Sequence, residues 1–71
     1  AMISWNSPVS GVTILGIHDL SGRCIRTLLD THRPKGSQEV KFSTEGISPG
    51  LYFCRLSVNG IIREQKMVVL E

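Results

Sequence analysis

The stretch that decides the fold is "LYFCRLSVNGIIREQKMVVLE", Leu51 to Glu71. Its Asn59-Gly60 dipeptide lies between two apolar runs and favours a two-residue type I′ loop, in which both residues take a positive φ. Apolar side chains alternate before the loop, as they do in a strand with one buried face. The stretch therefore predicts a β-hairpin in which Leu51 to Val58 pairs with Ile61 to Glu71.

One face of the first hairpin strand is the predicted core face. The other face carries Arg55 and Ser57, so it is expected to meet solvent. We expect the Tyr52 hydroxyl to cap a backbone group, because buried tyrosines usually find a hydrogen-bond partner. The side chains that share the predicted core face are Tyr52, Cys54, Leu56 and Val58.

A second hairpin is predicted upstream, beginning with "GVTILGIHDL", Gly11 to Leu20. Thr13, Leu15 and Ile17 fall on one face of this strand. Its other face is also largely apolar, which predicts a strand that is central or covered on both sides. In the turn that follows, Asp19 can accept backbone N–H groups and Gly22 can supply a positive φ.

The remaining elements complete an all-β pattern. The second hairpin returns through Arg23 to Asp30, a polar loop from Thr31 to Gln38 crosses between sheets, and a half-buried strand follows at Glu39 to Thr44. Ser4 to Trp5 begins an edge strand. Turn residues recur at roughly 8–12-residue spacing, which is typical of sandwiches. We predict a small Ig-like antiparallel β-sandwich of six to seven strands, one domain over residues 1–71.

The composition excludes several classes of protein. The chain has 71 residues, 41% of them hydrophobic and 20% charged, which indicates a globular domain with a small core. No apolar run approaches the roughly 20 residues of a spanning helix. The net charge of +2 is spread along the chain, whereas a nucleic-acid surface needs clustered basic groups. We expect no nucleic-acid partner.

No constellation of catalytic or metal-binding residues is found. "HDLSG" contains His18, Asp19 and Ser21, but adjacent strand residues point to opposite faces, so His18 and Asp19 should not meet. His18 and His32 have no carboxylate or thiol at ligand spacing. We predict neither catalysis nor a cofactor nor a metal.

Two further features leave alternatives open. Cys24 and Cys54 form a disulfide if their strands pack face to face, or else are small buried residues with free thiols. Trp5 and Phe53, with Tyr52, suggest a platform on which sugars could stack; the placement of Tyr52 on the core face weakens this interpretation.

The ends of the chain suggest an appendage. The N-terminal "AMISWNSP" lacks the charged and apolar regions of a signal peptide, and Ala1-Met2 resembles a remnant of the expression vector. Glu71 directly follows a strand-like run. We expect a domain taken from the C-terminal end of a longer protein.

Three segments carry a resemblance to a known family: "VTILGIHDLSGRCIRTL", "GISPGLYFCRLSVNG" and "REQKMVVLE". In order and spacing they resemble the C-terminal sorting domain of bacterial type IX secretion, the Por secretion tail. The Ig-like domain of flagellar hook-capping proteins is similar in pattern. The positions that match the family motifs are Asp19, Gly22, Gly50, Tyr52 and Lys66.

The resemblance implies a non-catalytic signal. Such a domain would direct export across the outer membrane, and surface attachment, of a covalently linked N-terminal cargo. Its partners would be the outer-membrane secretion and attachment machinery. We expect recognition by the last hairpin, through a free strand edge or through exposed charges, and a weak homodimer by strand-edge pairing is also expected. The candidate recognition surface consists of Arg55, Arg63, Glu64 and Lys66.

The alternative is a permanent Ig-like accessory module of an extracellular protein. Such a module would dock or space a catalytic domain, or bind polysaccharide.

Overall fold

The computed structural model describes residues 1–70, and Glu71, where the predicted last strand ends, lies outside them. The described chain forms two antiparallel sheets, which confirms the predicted all-β sandwich. No helix among residues 1–70 is long and apolar enough to cross a membrane. The six strands are β1 (Met2–Ser7), β2 (Gly11–His18), β3 (Cys24–Arg33), β4 (Gly36–Lys41), β5 (Gly50–Val58) and β6 (Ile61–Val69).

The larger sheet contains four strands in the order β3-β2-β5-β6, and the smaller sheet pairs β1 with β4. Both hairpins predicted from turn residues are present in the larger sheet. Asn59 and Gly60 have φ values of 50° and 83°, as a type I′ loop requires. β2 and β5 lie side by side at the centre, while β3 and β6 form the two edges.

The chain crosses between the two sheets within Thr31 to Gln38, as predicted, but the loop is much shorter than that stretch. β3 continues through Thr31 and His32, which pair with Thr13 and Val12 of β2. This pairing with β2 extends the strand through polar residues, and the β-branched side chain of Thr31 suits a strand. Only Pro34 and Lys35 lie between β3 and β4, so β4 begins at Gly36, earlier than the predicted Glu39.

β2 contributes most to the interior. Thr13, Leu15 and Ile17 share one face, as predicted, and the structure shows that this face points inward; the last two are completely buried. β2 is a central strand, which confirms the first predicted alternative. On its other face Val12 and Ile14 are 53% and 44% exposed, so the second alternative, cover on both sides, does not hold. The smaller sheet covers one face of the larger sheet only, which leaves the outer face in solvent.

The hydrophobic core cluster includes one residue from a loop. Ile47 lies between β4 and β5 and packs with Ile17 and Val69. The predicted core face of β5 is only partly right: Val58 is buried, whereas Tyr52, Cys54 and Leu56 are half-buried. The two-stranded sheet is too narrow to cover the β5–β6 side of a four-stranded one. The residues packed around this core cluster are Leu28, Phe42, Tyr52 and Met67.

Candidate recognition site

The β5–β6 hairpin divides the predicted recognition residues between two faces. Arg55 is opposite Glu64, and Lys66, two residues farther along β6, shares their face. Arg63 is opposite Leu56 and lines the groove on the inner side. The structure therefore brings Arg55, Glu64 and Lys66 together on the outer face of the sheet and separates Arg63 from them.

An ion pair fixes part of the outer charge row. The Arg55 Nε donates a hydrogen bond to the Glu64 Oε2 at 2.8 Å, and the Arg55 Nη2 lies 2.8 Å from the same oxygen. Both side chains are more than a third exposed, so solvent weakens their attraction. The pair contributes little stability, but it holds two charges beside Lys66 in a defined arrangement.

The outward side of β6, here called the β6 edge, pairs with no other strand within residues 1–70. Val58 and Ile61 flank the two-residue loop and are opposite each other, so they are the hydrogen-bonded pair that closes the turn. Bonded and non-bonded pairs alternate along an antiparallel ladder. The residues whose N–H and C=O groups point away from β5 are therefore Ile62, Glu64, Lys66 and Val68.

A groove of about 600 Å³ separates β1 from the β5–β6 hairpin. Its lining includes Trp5 of β1, Leu56 of β5, and Ile61 and Arg63 of β6. The Trp5 Nε1 atom is buried there with no hydrogen-bond partner among the described residues. Phe53 lies on the opposite, outer face of β5, opposite Lys66. The interpretation of Trp5 and Phe53 as one sugar-stacking platform is therefore wrong.

The β2–β3 turn is built as predicted around Asp19. Its Oδ1 accepts the backbone N–H groups of Ser21 and Arg23, both at 3.0 Å, and the Ser21 hydroxyl at 2.6 Å. The Ser21 hydroxyl is the main cause that holds the pKa of Asp19 below its ordinary value, with the two backbone N–H groups assisting. Gly22 takes a φ of 91°. Asp19 thus braces the turn.

The His18 ring contacts the turn backbone. Its Nδ1 lies 3.1 Å from the carbonyl oxygen of Gly22, so the ring packs across the turn. His32 is opposite Val12, at the other end of β2. Among residues 1–70, no group of three or more His, Cys, Asp and Glu side chains is placed to hold a metal ion.

Gly50 and Tyr52 organise the start of β5. Gly50 is the first residue of the strand and has a positive φ of 153°. The Tyr52 hydroxyl donates a hydrogen bond to the Ser48 carbonyl oxygen at 2.6 Å, which is the predicted backbone cap. The side chain thereby closes the loop that leads into the hairpin.

The two cysteines lie on opposite faces of the larger sheet and carry free thiols. Cys54 lines the groove on the inner side. Cys24 is opposite His18 and lies beside Gly16 on the outer face. Because the sheet separates the two sulfur atoms, they are not bridged within the chain. Cys24 is also exposed rather than buried, and burial raises the pKa of the Cys54 thiol.

Arg26 has a structural role that the sequence did not reveal. Its Nη1 donates to the Ser43 carbonyl oxygen at 2.7 Å, and its Nη2 donates to that of Glu45 at 2.8 Å. These bonds tie β3 to the loop that carries Ile47. An arginine among strand residues normally indicates a solvent-facing position, so the sequence contains no signal for this clamp.

Comparison with known families accounts for the hairpin and turn motifs together. A family model described as the secretion system C-terminal sorting domain matches residues 1–70. No curated protein and no solved structure matches the chain. The family match covers the whole described chain and confirms the resemblance predicted from three sequence segments. This chain belongs to the C-terminal sorting domain family of type IX secretion.

Proposed function

We propose that this domain directs a larger protein, whose C-terminal end it forms, across the outer membrane and to attachment at the cell surface. The supporting observation is the family match over residues 1–70, since the family is that of type IX sorting signals. The domain would act as a ligand of the secretion machinery and take no part in catalysis.

The β5–β6 hairpin is the proposed recognition element. The β6 edge offers backbone donors and acceptors to which a strand of the exporter can pair. Arg55, Glu64 and Lys66 form a charged row on the outer face beside that edge, and such charges orient a partner and accelerate encounter. The turn braced by Asp19 and the cap of Tyr52 would keep the fold intact during recognition.

The first experiment deletes residues 61–71 from the parent protein. We expect the cargo to remain inside the cell, as measured by immunoblotting of periplasm, cell surface and medium. Normal export of the truncated parent would contradict the proposal. The deletion also removes Met67 and Val69 from the core, so it cannot by itself separate lost recognition from lost folding.

Single substitutions separate the two effects. Lys66→Glu changes the outer row, and Lys41→Glu makes the same change on an exposed residue of β4. We expect several-fold lower export for Lys66→Glu alone, with equal melting temperatures for both purified domains. Export lost in Lys66→Pro but normal in Lys66→Glu would assign recognition to the backbone edge. Normal export of both Lys66 variants would contradict recognition by β6.

Mass spectrometry of the mature surface protein tests the attachment step. We expect the peptides of this domain to be missing, because the sorting signal is removed when the cargo is attached. Their quantitative retention would favour the permanent accessory module instead.

A further inference from the structure

We propose that two copies of this domain associate through their β6 edges, as antiparallel strands centred on Gln65. The pairing would join the two larger sheets into one continuous sheet. The inference rests on the register and charges of β6 and does not depend on the proposed export function.

The backbone of β6 is prepared for such pairing. β6 keeps nine consecutive pairs with β5, from Val58↔Ile61 to Gly50↔Val69, and no bulge interrupts them. A regular strand presents its outward N–H and C=O groups in line, which is the geometry that a second strand requires. The outward groups belong to the even-numbered residues, so these form the hydrogen-bonded pairs across the two-fold axis.

The side chains of β6 are self-complementary about Gln65. In this register Glu64 is opposite the partner's Lys66, and the symmetry repeats the contact. Ile62 is likewise opposite the partner's Val68, and these two residues are 60% and 61% exposed in the single chain. Opposite charges and paired apolar side chains each stabilise directly opposed strand positions. The outer face of the joined sheet would carry two ion pairs flanked by two apolar pairs.

Charge also selects this register over its neighbours. A two-fold pairing centred one residue earlier places Glu64 opposite the partner's Glu64. A pairing centred one residue later places Lys66 opposite the partner's Lys66. Like charges directly opposed are destabilising, so both alternatives are disfavoured. The Gln65-centred register is the one that opposes unlike charges and apolar side chains at once.

The inner face is compatible with the same register. Arg63 would be opposite the partner's Met67, and Ile61 opposite the partner's Val69. The Arg63 side chain has an apolar stem that can pack on methionine while its charged end stays in water. The two Gln65 amides would meet on the axis, where each can donate to and accept from the other.

Sedimentation equilibrium of the purified domain tests the proposal. We expect the wild-type chain of 7.8 kDa to form dimers as concentration rises. Glu64→Lys and Lys66→Glu should each raise the dimer Kd by about tenfold, since two exposed ion pairs become two repulsions. An equimolar mixture of the two variants should dimerise again, because one copy then carries two lysines and the other two glutamates.

The matched control is Asp30→Lys, the same kind of charge reversal on the exposed β3 edge. We expect it to leave the dimer Kd unchanged. A wild-type chain that stays monomeric at millimolar concentration would overturn the proposal. So would variants that dimerise like wild type, or a mixture that shows no recovery.

Cross-linking provides a second measurement that does not depend on charge. In the proposed register the two Gln65 residues form a non-hydrogen-bonded pair, whose Cα atoms are about 4.5 Å apart, within reach of a disulfide. Gln65→Cys in a Cys24→Ser/Cys54→Ser background should form a covalent dimer on mild oxidation. Thr31→Cys on β3 in the same background should not. Equal cross-linking of the two variants would contradict a specific β6 contact.

Discussion

The two edges of the larger sheet are built differently. β3 pairs with β2 through two register shifts, between Leu15 and Gly16 and between Ile17 and His18. Its Arg26 is bonded to the loop after β4. β6 pairs with β5 without interruption and is exposed from Ile61 to Lys66. β3 is thus an irregular edge that is tied to a loop, whereas β6 is a regular edge that is exposed to solvent.

This difference indicates which edge can meet another protein. Bulges twist a strand and break the line of its outward hydrogen-bonding groups, and proteins commonly protect edges in this way. β6 lacks that protection, although Glu64 and Lys66 interrupt its apolar surface. A strand of the exporter and a second copy of the domain would therefore compete for the same β6 edge.

The largest expected effect on stability comes from the core of the larger sheet, which supports both of its edge strands. Ile17→Ala removes a completely buried side chain at the centre of β2 and should lower the free energy of unfolding by about 2–5 kcal/mol. Urea denaturation measures the change. Ile14→Ala, on the same strand but 44% exposed, should lose about 1 kcal/mol, the span of strand propensities. Equal losses of stability would mean that the inner face of β2 is no better shielded from solvent than its outer face.

The next effect separates the inward and outward backbone groups of β6. Gln65→Pro removes an N–H that bonds to β5, while Lys66→Pro removes one that points to the β6 edge. Both side chains are exposed. We expect Gln65→Pro to lower the free energy of unfolding by about 1–3 kcal/mol more than Lys66→Pro, the penalty of an unsatisfied carbonyl. Thermal unfolding of the two variants tests this. A larger loss of stability for Lys66→Pro than for Gln65→Pro would contradict the assignment of the Lys66 N–H to the open edge.

A smaller effect concerns the clamp on the β3 side. Arg26→Met keeps most of the apolar stem but removes the bonds to Ser43 and Glu45. We expect the free energy of unfolding to fall by about 1–2 kcal/mol. The loss stays this small because both carbonyl groups can bond to water instead. Amide hydrogen exchange at Ile47, whose N–H donates to the Thr44 carbonyl, should become faster. Unchanged exchange at Ile47, with faster exchange on β6, would contradict the role of Arg26 in tying β3 to the loop.

The smallest effect concerns the outer charge row. Glu64→Gln removes the charge that meets Arg55 and should lower the free energy of unfolding by about 0.2–1 kcal/mol, as exposed ion pairs do. The loss should shrink in high salt, because salt screens exposed charges. Chemical denaturation by urea at low and high ionic strength measures it. A larger, salt-independent loss would show that Glu64 supports the hairpin by packing.

Part of the candidate site could be predicted from local sequence. Asp19 and Gly22 act within one turn, and Asn59 and Gly60 within another, so their roles depend on neighbours in the chain. The Tyr52 cap also reaches only to Ser48. The separation of Arg63 from Arg55 follows from strand alternation once the pairing is known. Local spacing does not reveal that Arg63 lines a groove between β1 and the hairpin.

The sequence by itself determined the strand class, both tight hairpins, the alternation of side chains along β2 and the family. These features depend on the residues that form turns and on the two-residue alternation of side chains along a strand. Both act over only a few residues. Tertiary structure decided that β3 extends through Thr31 and His32, that Ile47 enters the core, and that the thiols of Cys24 and Cys54 lie apart. It also decided that one edge is bulged and the other open. These features depend on which strands are neighbours in the sheet and on how much of the larger sheet the smaller sheet covers. Contacts between residues far apart in the chain determine both.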